Sequence, residues 1–411
     1  MTRPLDGMWD RGDPLVASAG SPAHVALTAA RRLLTLGRDH DAFHAFADSH
    51  AVPDIDIAAL YEGAAQALRN QGLLLQAVRL LDSGLLRFPG HASLRFIRSL
   101  MLLGLGQFEE GWHEYELRLK TPQRCYLPRA ITWPRWRGPQ HVRGGKLLIW
   151  LEQGFGDEIM FASLIPLVFP FVHSVTFECS RDTASLFRCS FPNVRICPVE
   201  LNGAMPEAFQ GESFDHECPL GSLPLALGMG ATPPSQPWLK TESFTTGSLR
   251  MSLENIAAGR RIIGVSWRGG TSMTRSVSRS LSLSQLRPIL EQKALFVAIQ
   301  HDMKPDEEKS WPFPNLIWWP ELVTQLNSLA SLIAACDEIV TVCNTNVHLA
   351  GAMGKPVKVL APFVPEWRYG FAADAMPWYP DVRIFRQASY GDWNLAIERV
   401  VKELRESIAH Q

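Results

Sequence analysis

The sequence predicts an α/β protein made of two lobes with parallel sheets, preceded by an all-α domain of helical repeats. Three observations predict it. Helical patterning with a 34-residue period runs through the first part of the chain. From residue 147 onward, short apolar β-prone runs alternate with longer mixed segments. A Pro/Ser/Thr-rich stretch near 232–250 divides those runs into two sets.

The bulk numbers bound the rest. A length of 411 residues calls for two or three domains. Hydrophobic content of 46% with 20% charge fits a soluble globular chain. Forty Lys and Arg against 41 Asp and Glu exclude a general nucleic-acid binder and a polybasic membrane anchor. The tail 1–21 lacks the charged-then-apolar layout of a signal peptide. No apolar run reaches the roughly 20 residues that span a bilayer, so a cytoplasmic location is expected. Seven cysteines with no CxxC pair, and no histidine pair at zinc spacing, point to buried reduced thiols.

The repeats come first in the chain. Segments 59–92 and 93–126 each hold 34 residues, and Gly72 and Ala77 pair at that period with Gly106 and Gly111. Small residues recur where the two helices of one hairpin must approach closely. A further unit lies upstream, with Gly37 and Ala42 one residue out of phase. The pattern, over 22–120, resembles the tetratricopeptide repeat. Stacked helix hairpins of that kind form a groove that takes a peptide or protein segment, or they serve as a spacer. Residues 121–146 form a connector rich in proline and glycine, with Trp133 and Trp136.

The first lobe is expected over 147–250, with strands at "LLIWL", "SVTFEC" and "VRICPV". The second is expected over 251–390, with strands at "RIIGVSW", "LFVAIQ", "EIVTVC" and "PVKVLAP". The segment 391–411 is an amphipathic closing helix. Ligands of such sheets bind beyond the C-terminal strand ends.

At the first strand end stand Glu152, Gln153, Gly154, Phe155, Gly156, Asp157 and Glu158. No Gly-Lys-Ser/Thr follows, and the third glycine of the dinucleotide fingerprint is missing. Three acids would oppose the attraction of a helix start for phosphate. A carboxylate on a tight glycine turn is placed to take a proton from a hydroxyl, which makes Asp157 the candidate general base, with a helix N-cap as its bland alternative. Gln153, Gly154 and Gly156 form the acceptor-side loop, and Glu158 reads as a complement to the helix dipole.

"GFGDEIMFASLIP" resembles the first strand-loop-helix of glycosyltransferase family 9, the bacterial heptosyltransferase family, and more closely the bacterial proteins that join tetratricopeptide repeats to such a domain. The resemblance covers about residues 60–395. It implies a GT-B fold with the acceptor on the first lobe and a nucleotide-sugar on the second. It also implies that Asp157 is the catalytic base.

The second lobe supplies the groups that suit a diphosphate. Arg268, Gly269, Gly270, Thr271, Arg275 and Arg279 follow one strand and combine glycine amides, hydroxyls and guanidinium groups. The resemblance implies that a basic residue here touches the donor diphosphate, with Arg268 and Arg279 at the best-matching places. The segment 338–363 runs strand, "CNTN", helix, strand, so Asn344, Thr345 and Asn346 lie at a helix start with His348 in its first turn. In the family an Asp usually stands at the position of Cys343 and a Thr at that of Asn344. That departure leaves open a donor carrying its own carboxylate. Gln300 ends a strand at the same cleft, and "PFVPEWRYG" and "MPWYPDVRIFRQ" read as aromatic loops. No DxD occurs in the cleft segments, which fits transfer without a metal or other cofactor.

The expected activity is inverting, metal-independent transfer of a sugar from a nucleotide-sugar to a hydroxyl, with the repeats holding a protein such as flagellin or another surface protein by its Ser or Thr. The alternatives are a saccharide or lipopolysaccharide acceptor, and a repeat-bearing binding scaffold whose transferase domain is inactive.

Overall fold

The computed structural model describes residues 57–121, 131–140, 144–200, 209, 211–228, 236–270, 276–304, 307 and 313–409. The tail 1–21, the repeat-like segment upstream of residue 57, Thr271 and Arg275 lie outside the described residues. The chain forms two compact units. One holds the helices from residue 57 to 121 together with Val364–Ala372, and the other holds both sheets.

The helical unit contains α1 (Ile57–Asn70), α2 (Leu74–Arg87), α3 (Ala92–Gly104) and α4 (Phe108–Tyr115), followed by a 3-10 turn over Glu116–Lys120. Gly72 and Gly106 close the first helix of each hairpin at φ of +78° and +81°, a conformation that costs other residues more. Gly111 lets α4 approach α3, since a Cβ there would lie 2.8 Å from the Leu103 side chain. Ala64, Ala65, Leu68, Ala77, Leu81 and Leu94 form the core of α1 to α3. Arg98 of α3 ties the stack by pairing with Asp82 at 2.6 Å, Glu110 at 2.7 Å and Glu114 at 2.9 Å.

One face of this unit is covered by the chain's own segment Val364–Ala372. Trp367 packs edge-on to Trp112 at 5.5 Å and against Tyr115 at 5.8 Å. Glu366 pairs with Arg69 at 3.2 Å. Phe371 donates its amide to the Gly104 carbonyl, and its ring fills the space where a Cβ on Gly104 would sit, at 2.1 Å. The second-lobe range 251–390 is therefore interrupted by a segment that belongs with the helices.

In the other unit the first sheet has the order β3-β2-β1-β4, with β1 Lys146–Trp150, β2 Ser174–Ser180, β3 Arg195–Val199 and β4 His216–Pro219. All its pairings are parallel. The second sheet has the order β10-β11-β9-β8-β5-β6-β7. Its strands are β5 Ile262–Val265, β6 Leu295–Ala298, β7 Leu316–Trp318, β8 Glu338–Val342, β9 Val357–Ala361, β10 Ala375–Met376 and β11 Tyr379–Arg386. Among the described pairings of these strands, only β10–β11 is antiparallel. Buried Ile263, Val265, Phe296, Ala298 and Val340 pack with Leu286 and Ile289 and with the closing helix residues Ile397, Val400 and Leu404.

The helices that matter for the site are α5 (Phe155–Ala162), α6 (Ala184–Ser190), α7 (Ser243–Ala257), α8 (Leu283–Leu290), α9 (Leu326–Ala335), α10 (Thr345–Ala352) and α11 (Asn394–Ala409). Two expectations are corrected. The lobe boundary placed at 250 falls inside α7, a continuous helix packed on α9, because the polar stretch near 232–250 already carries its first turns. The segment 376–387, read as an aromatic loop, contains the eight-residue strand β11. Its Val382, Ile384 and Phe385 are buried against the sheet, which outweighs the Pro and Arg content that argued for a loop.

Candidate functional site

Each sheet has one topological switch point, where successive strands stop adding on one side and begin on the other. In the first sheet it lies between β1 and β4, and in the second between β5 and β8. In sheets of this kind, ligands bind beyond the C-terminal strand ends at such a point. Gln153, Gly154, Gly156 and Asp157 follow β1, and Asn344, Thr345, Asn346 and His348 follow β8, while Arg268 and Gly270 follow β5; Gln300 follows β6, and Arg279 lies farther along the segment after β5.

The first switch point is acidic and internally closed. Glu152, 1% exposed, follows β1 and accepts the Gly221 amide beyond β4 at 2.9 Å. That carboxylate occupies an N–H of the kind a phosphate would need. Gln153 is buried beside it. Gly154, in extended conformation, is the N-cap of α5. Asp157 is therefore in the third helical position and half-buried, so the N-cap alternative does not describe it. A carboxylate in the first turn is stabilised by the helix amides.

Glu158, read as a complement to the helix dipole, is held inside the protein. It is fully buried and accepts hydrogen bonds from the Ser180 amide at 2.8 Å and the Thr183 hydroxyl at 2.9 Å. Its other oxygen, Oε2, is buried with no hydrogen-bond partner among the described residues. Burial pushes the carboxyl up to about 8, against the pull of those two donors, so it carries a proton at neutral pH. The apolar company of Ile159, Phe161 and Ala162 in "GDEIMFA" was the available signal.

The second switch point is built from neutral amides and hydroxyls. Ser266, just past β5, shares a 2.6 Å hydrogen bond with Thr341 of β8. Asn344, the N-cap of α10, accepts the Asn346 amide at 3.0 Å. Its side-chain amide donates to Ser266 Oγ at 3.1 Å and to the Arg268 carbonyl at 3.2 Å. Asn346 donates to Ser266 Oγ at 3.1 Å and to the Ile299 carbonyl at 3.0 Å. Gln300, expected to face the cleft, is buried and accepts the amides of Trp267 at 3.1 Å and Arg268 at 3.0 Å. Asn344, Asn346 and Gln300 thus hold the ends of β5, β6 and β8 in register, and Thr345 lies half-buried among them. Ser266 and Thr341 were missed; a serine between apolar strand residues in "GVSW" was the clue.

The loop after β5 turns at Gly269 and Gly270, the latter at φ +73°. A Cβ on Gly269 would lie 2.7 Å from the Cys343 carbonyl, so only glycine lets the two strand-end loops close up. The Gly269 amide donates to Ser280 at 3.3 Å, and next to that serine Arg279 is 92% buried, with no partner for its Nε among the described residues. Arg268 behaves differently. Its guanidinium is held by Glu307 and by Asp302, the latter at 3.2 Å. Burial alone would raise both carboxyls, yet Arg268 and neighbouring donors hold them below their ordinary values. A phosphate reaching Arg268 would compete with two carboxylates. Cys343, where the family resemblance expects Asp, is wholly buried.

His348 joins the two halves. It is 3% exposed on α10, and a Cβ on Gly156 would lie 3.0 Å from its Cδ2 and 3.4 Å from its Nε2. The glycine turn of α5 thus seats the imidazole of the second lobe, one residue before Asp157. No group of three or more His, Cys, Asp or Glu side chains able to hold a metal occurs among the described residues. No helix among them is long and apolar enough to cross a membrane.

No protein-family model matches the chain. Among curated proteins it is similar to Protein FlbA of Caulobacter vibrioides, with 30% identity over 381 residues, 86% of this chain and 62% of that protein. The chain therefore spans about three-fifths of the length of that curated relative. Among solved structures it is similar to the ADP-heptose lps heptosyltransferase II of E. coli, at 16% identity and a TM-score of 0.45 over 64% of this chain and 99% of that one. It is similar to a family 9 glycosyl transferase of Veillonella parvula, at 12% identity and a TM-score of 0.45 over 65% of this chain and 98% of that one. It is also similar to the O-GlcNAc transferase of Thermobaculum terrenum, at 11% identity and a TM-score of 0.30 over 94% of this chain and 92% of that one.

Proposed function

We propose that the chain is an inverting glycosyltransferase that moves a sugar from a nucleotide-sugar to a hydroxyl without a metal. The observation that carries the reading is the seating of His348 on Gly156, which brings the acidic glycine turn of one sheet up to the amide-rich strand ends of the other. Asp157 takes the proton of the acceptor hydroxyl. The hydroxyl oxygen attacks the anomeric carbon as the bond to the nucleotide diphosphate breaks on the opposite face. The backbone of Gly269 and Gly270, with Arg279 and His348, compensates the charge on the leaving diphosphate. Arg268 takes part only if the incoming phosphate displaces Glu307 or Asp302.

The acceptor in this reading is a Ser or Thr of a protein held by the helical unit. Because Val364–Ala372 already covers the face with Gly104, Trp112 and Tyr115, such a protein docks on the remaining helix surface. The neutralised Arg268 and the buried Cys343 favour a second reading, a scaffold without transferase activity. Melting-point titration with the ADP, UDP, GDP, CMP and dTDP forms of nucleotides and nucleotide-sugars separates the two. The transferase reading expects stabilisation by one nucleotide class. Stabilisation by none supports the scaffold.

A further inference from the structure

The strand β11 was not legible as a strand, and its first residue makes the most specific contact with the candidate site. Tyr379 is buried, and its hydroxyl lies 3.3 Å from Nδ1 of His348. The two rings meet edge to face, with centroids 5.8 Å apart and planes at 72°. The opposite edge of the imidazole, Cδ2 and Nε2, faces Gly156. His348 is therefore clasped between a phenol hydroxyl and the glycine turn that carries Asp157.

The chain makes room for this clasp. Gly351 stands three residues after His348, on the same face of α10. A Cβ there would lie 2.5 Å from Tyr379 Cγ and 2.6 Å from Cδ2, so the phenol ring occupies the place of that missing side chain. The preceding residue, Trp378, stands edge-on to Phe161 of α5, at 5.5 Å and 88°. The dipeptide Trp378–Tyr379 thus touches both helices of the site, one carrying Asp157 and the other His348.

A neutral imidazole is a donor at one nitrogen and an acceptor at the other, and the partner of one nitrogen fixes the role of the other. A phenol hydroxyl donates more readily than it accepts, because its oxygen lone pair is delocalised into the ring. The pyridine-type nitrogen of imidazole is a strong acceptor.

We infer that Tyr379 is a positioning residue: its hydroxyl donates to His348 Nδ1 and fixes the Nε2–H tautomer, so that an N–H donor is presented at the glycine turn. The catalytic meaning of that donor rests on the transferase reading above, where it serves an oxygen of the leaving diphosphate. The tautomer itself does not depend on that reading. A merely structural tyrosine would pack over Gly351 and leave the imidazole nitrogens as they are in its absence.

The test is a long-range 15N–1H correlation spectrum of the full chain at about pH 8.5, above the ordinary imidazole range. His348 is assigned by loss of its signals in His348→Gln. The wild type is expected to show the Nε2–H pattern, and Tyr379→Phe, which keeps the ring over Gly351, a mixture of tautomers. An Nδ1–H pattern in the wild type overturns the proposal, and so does an unchanged His348 pattern in Tyr379→Phe. The wild-type spectrum decides the matter even if the variant fails to fold. Melting shifts with the nucleotide panel are measured in parallel. Stabilisation of the wild type by no nucleotide removes the transferase reading and leaves the tautomer result standing.

Discussion

The two switch points solve the same topological problem with opposite chemistry. Beyond β1 and β4 the crevice is bridged by a carboxylate, Glu152, and flanked by a second buried acid, Glu158. Beyond β5 and β8 it is bridged by side-chain amides and hydroxyls of Ser266, Thr341, Asn344 and Asn346. These two acids use up the backbone amides of Gly221 and Ser180, groups of the kind that could bind an anion. A neutral network fixes the strand ends without adding negative charge. On the transferase reading proposed above, this difference places the anionic donor at the second crevice and the proton-accepting step at the first. The shared fold alone would not make that division.

Removing one group at a time separates the roles of the two switch points. The largest effect is expected for Asp157→Asn, which should lower transfer about 10²- to 10⁴-fold while leaving any nucleotide-induced melting shift intact. Loss of both together would mean that the acidic turn serves the donor.

Next come the groups that hold the second crevice. Asn346→Ala leaves the Ile299 carbonyl without its side-chain donor and should cost about 1–3 kcal/mol in urea unfolding. Gly269→Ala should cost a similar roughly 1–3 kcal/mol, because its Cβ meets a backbone carbonyl at 2.7 Å that has no room to yield. A neutral outcome for both would show that the network is dispensable.

Glu158 sharpens the contrast through pH. Its folded carboxyl, pushed up to about 8, keeps a proton that an unfolded glutamate, near 4.5, has lost. Between those values the folded state binds the extra proton, so stability falls as pH rises from about 4.5 to 8. Glu158→Gln should flatten that slope when urea midpoints are compared at both ends of the window. An unchanged slope would assign it to another group. The smallest effect is expected for Gly156→Ala. A better helix former offsets the crowding of His348 at 3.0 Å, so stability should change by under about 1 kcal/mol. Any nucleotide shift should weaken, because the imidazole must move.

Much of this was legible in the sequence where the pattern was apolar and uninterrupted. The runs around β1, β2, β3, β5, β6, β8 and β9 could be read directly as strands. β4 was missed because His216–Pro219 is short, with an acid and a proline, and β7 because it has three residues. β11 was missed because Pro380, Asp381 and Arg383 mask its buried alternation. At the site, sequence located Asp157, Asn344, Asn346 and His348 at loop or helix positions. It could not tell that Gln300 and the asparagines hold other strand ends, nor that Arg268 is neutralised by Asp302 and Glu307. Those partners are distant in sequence and are brought together only by the order of strands in the sheet.

The division of labour between the crevices is tested most directly by one set of melting curves: wild type, Asp157→Asn and Asn346→Ala, each with and without the nucleotide panel. A ligand at 100 times its Kd stabilises the folded state by about 2.7 kcal/mol, a readily measured shift. A shift is expected for one nucleotide class in the wild type, with the same shift in Asp157→Asn and its loss in Asn346→Ala. A shift lost in Asp157→Asn but kept in Asn346→Ala would contradict it.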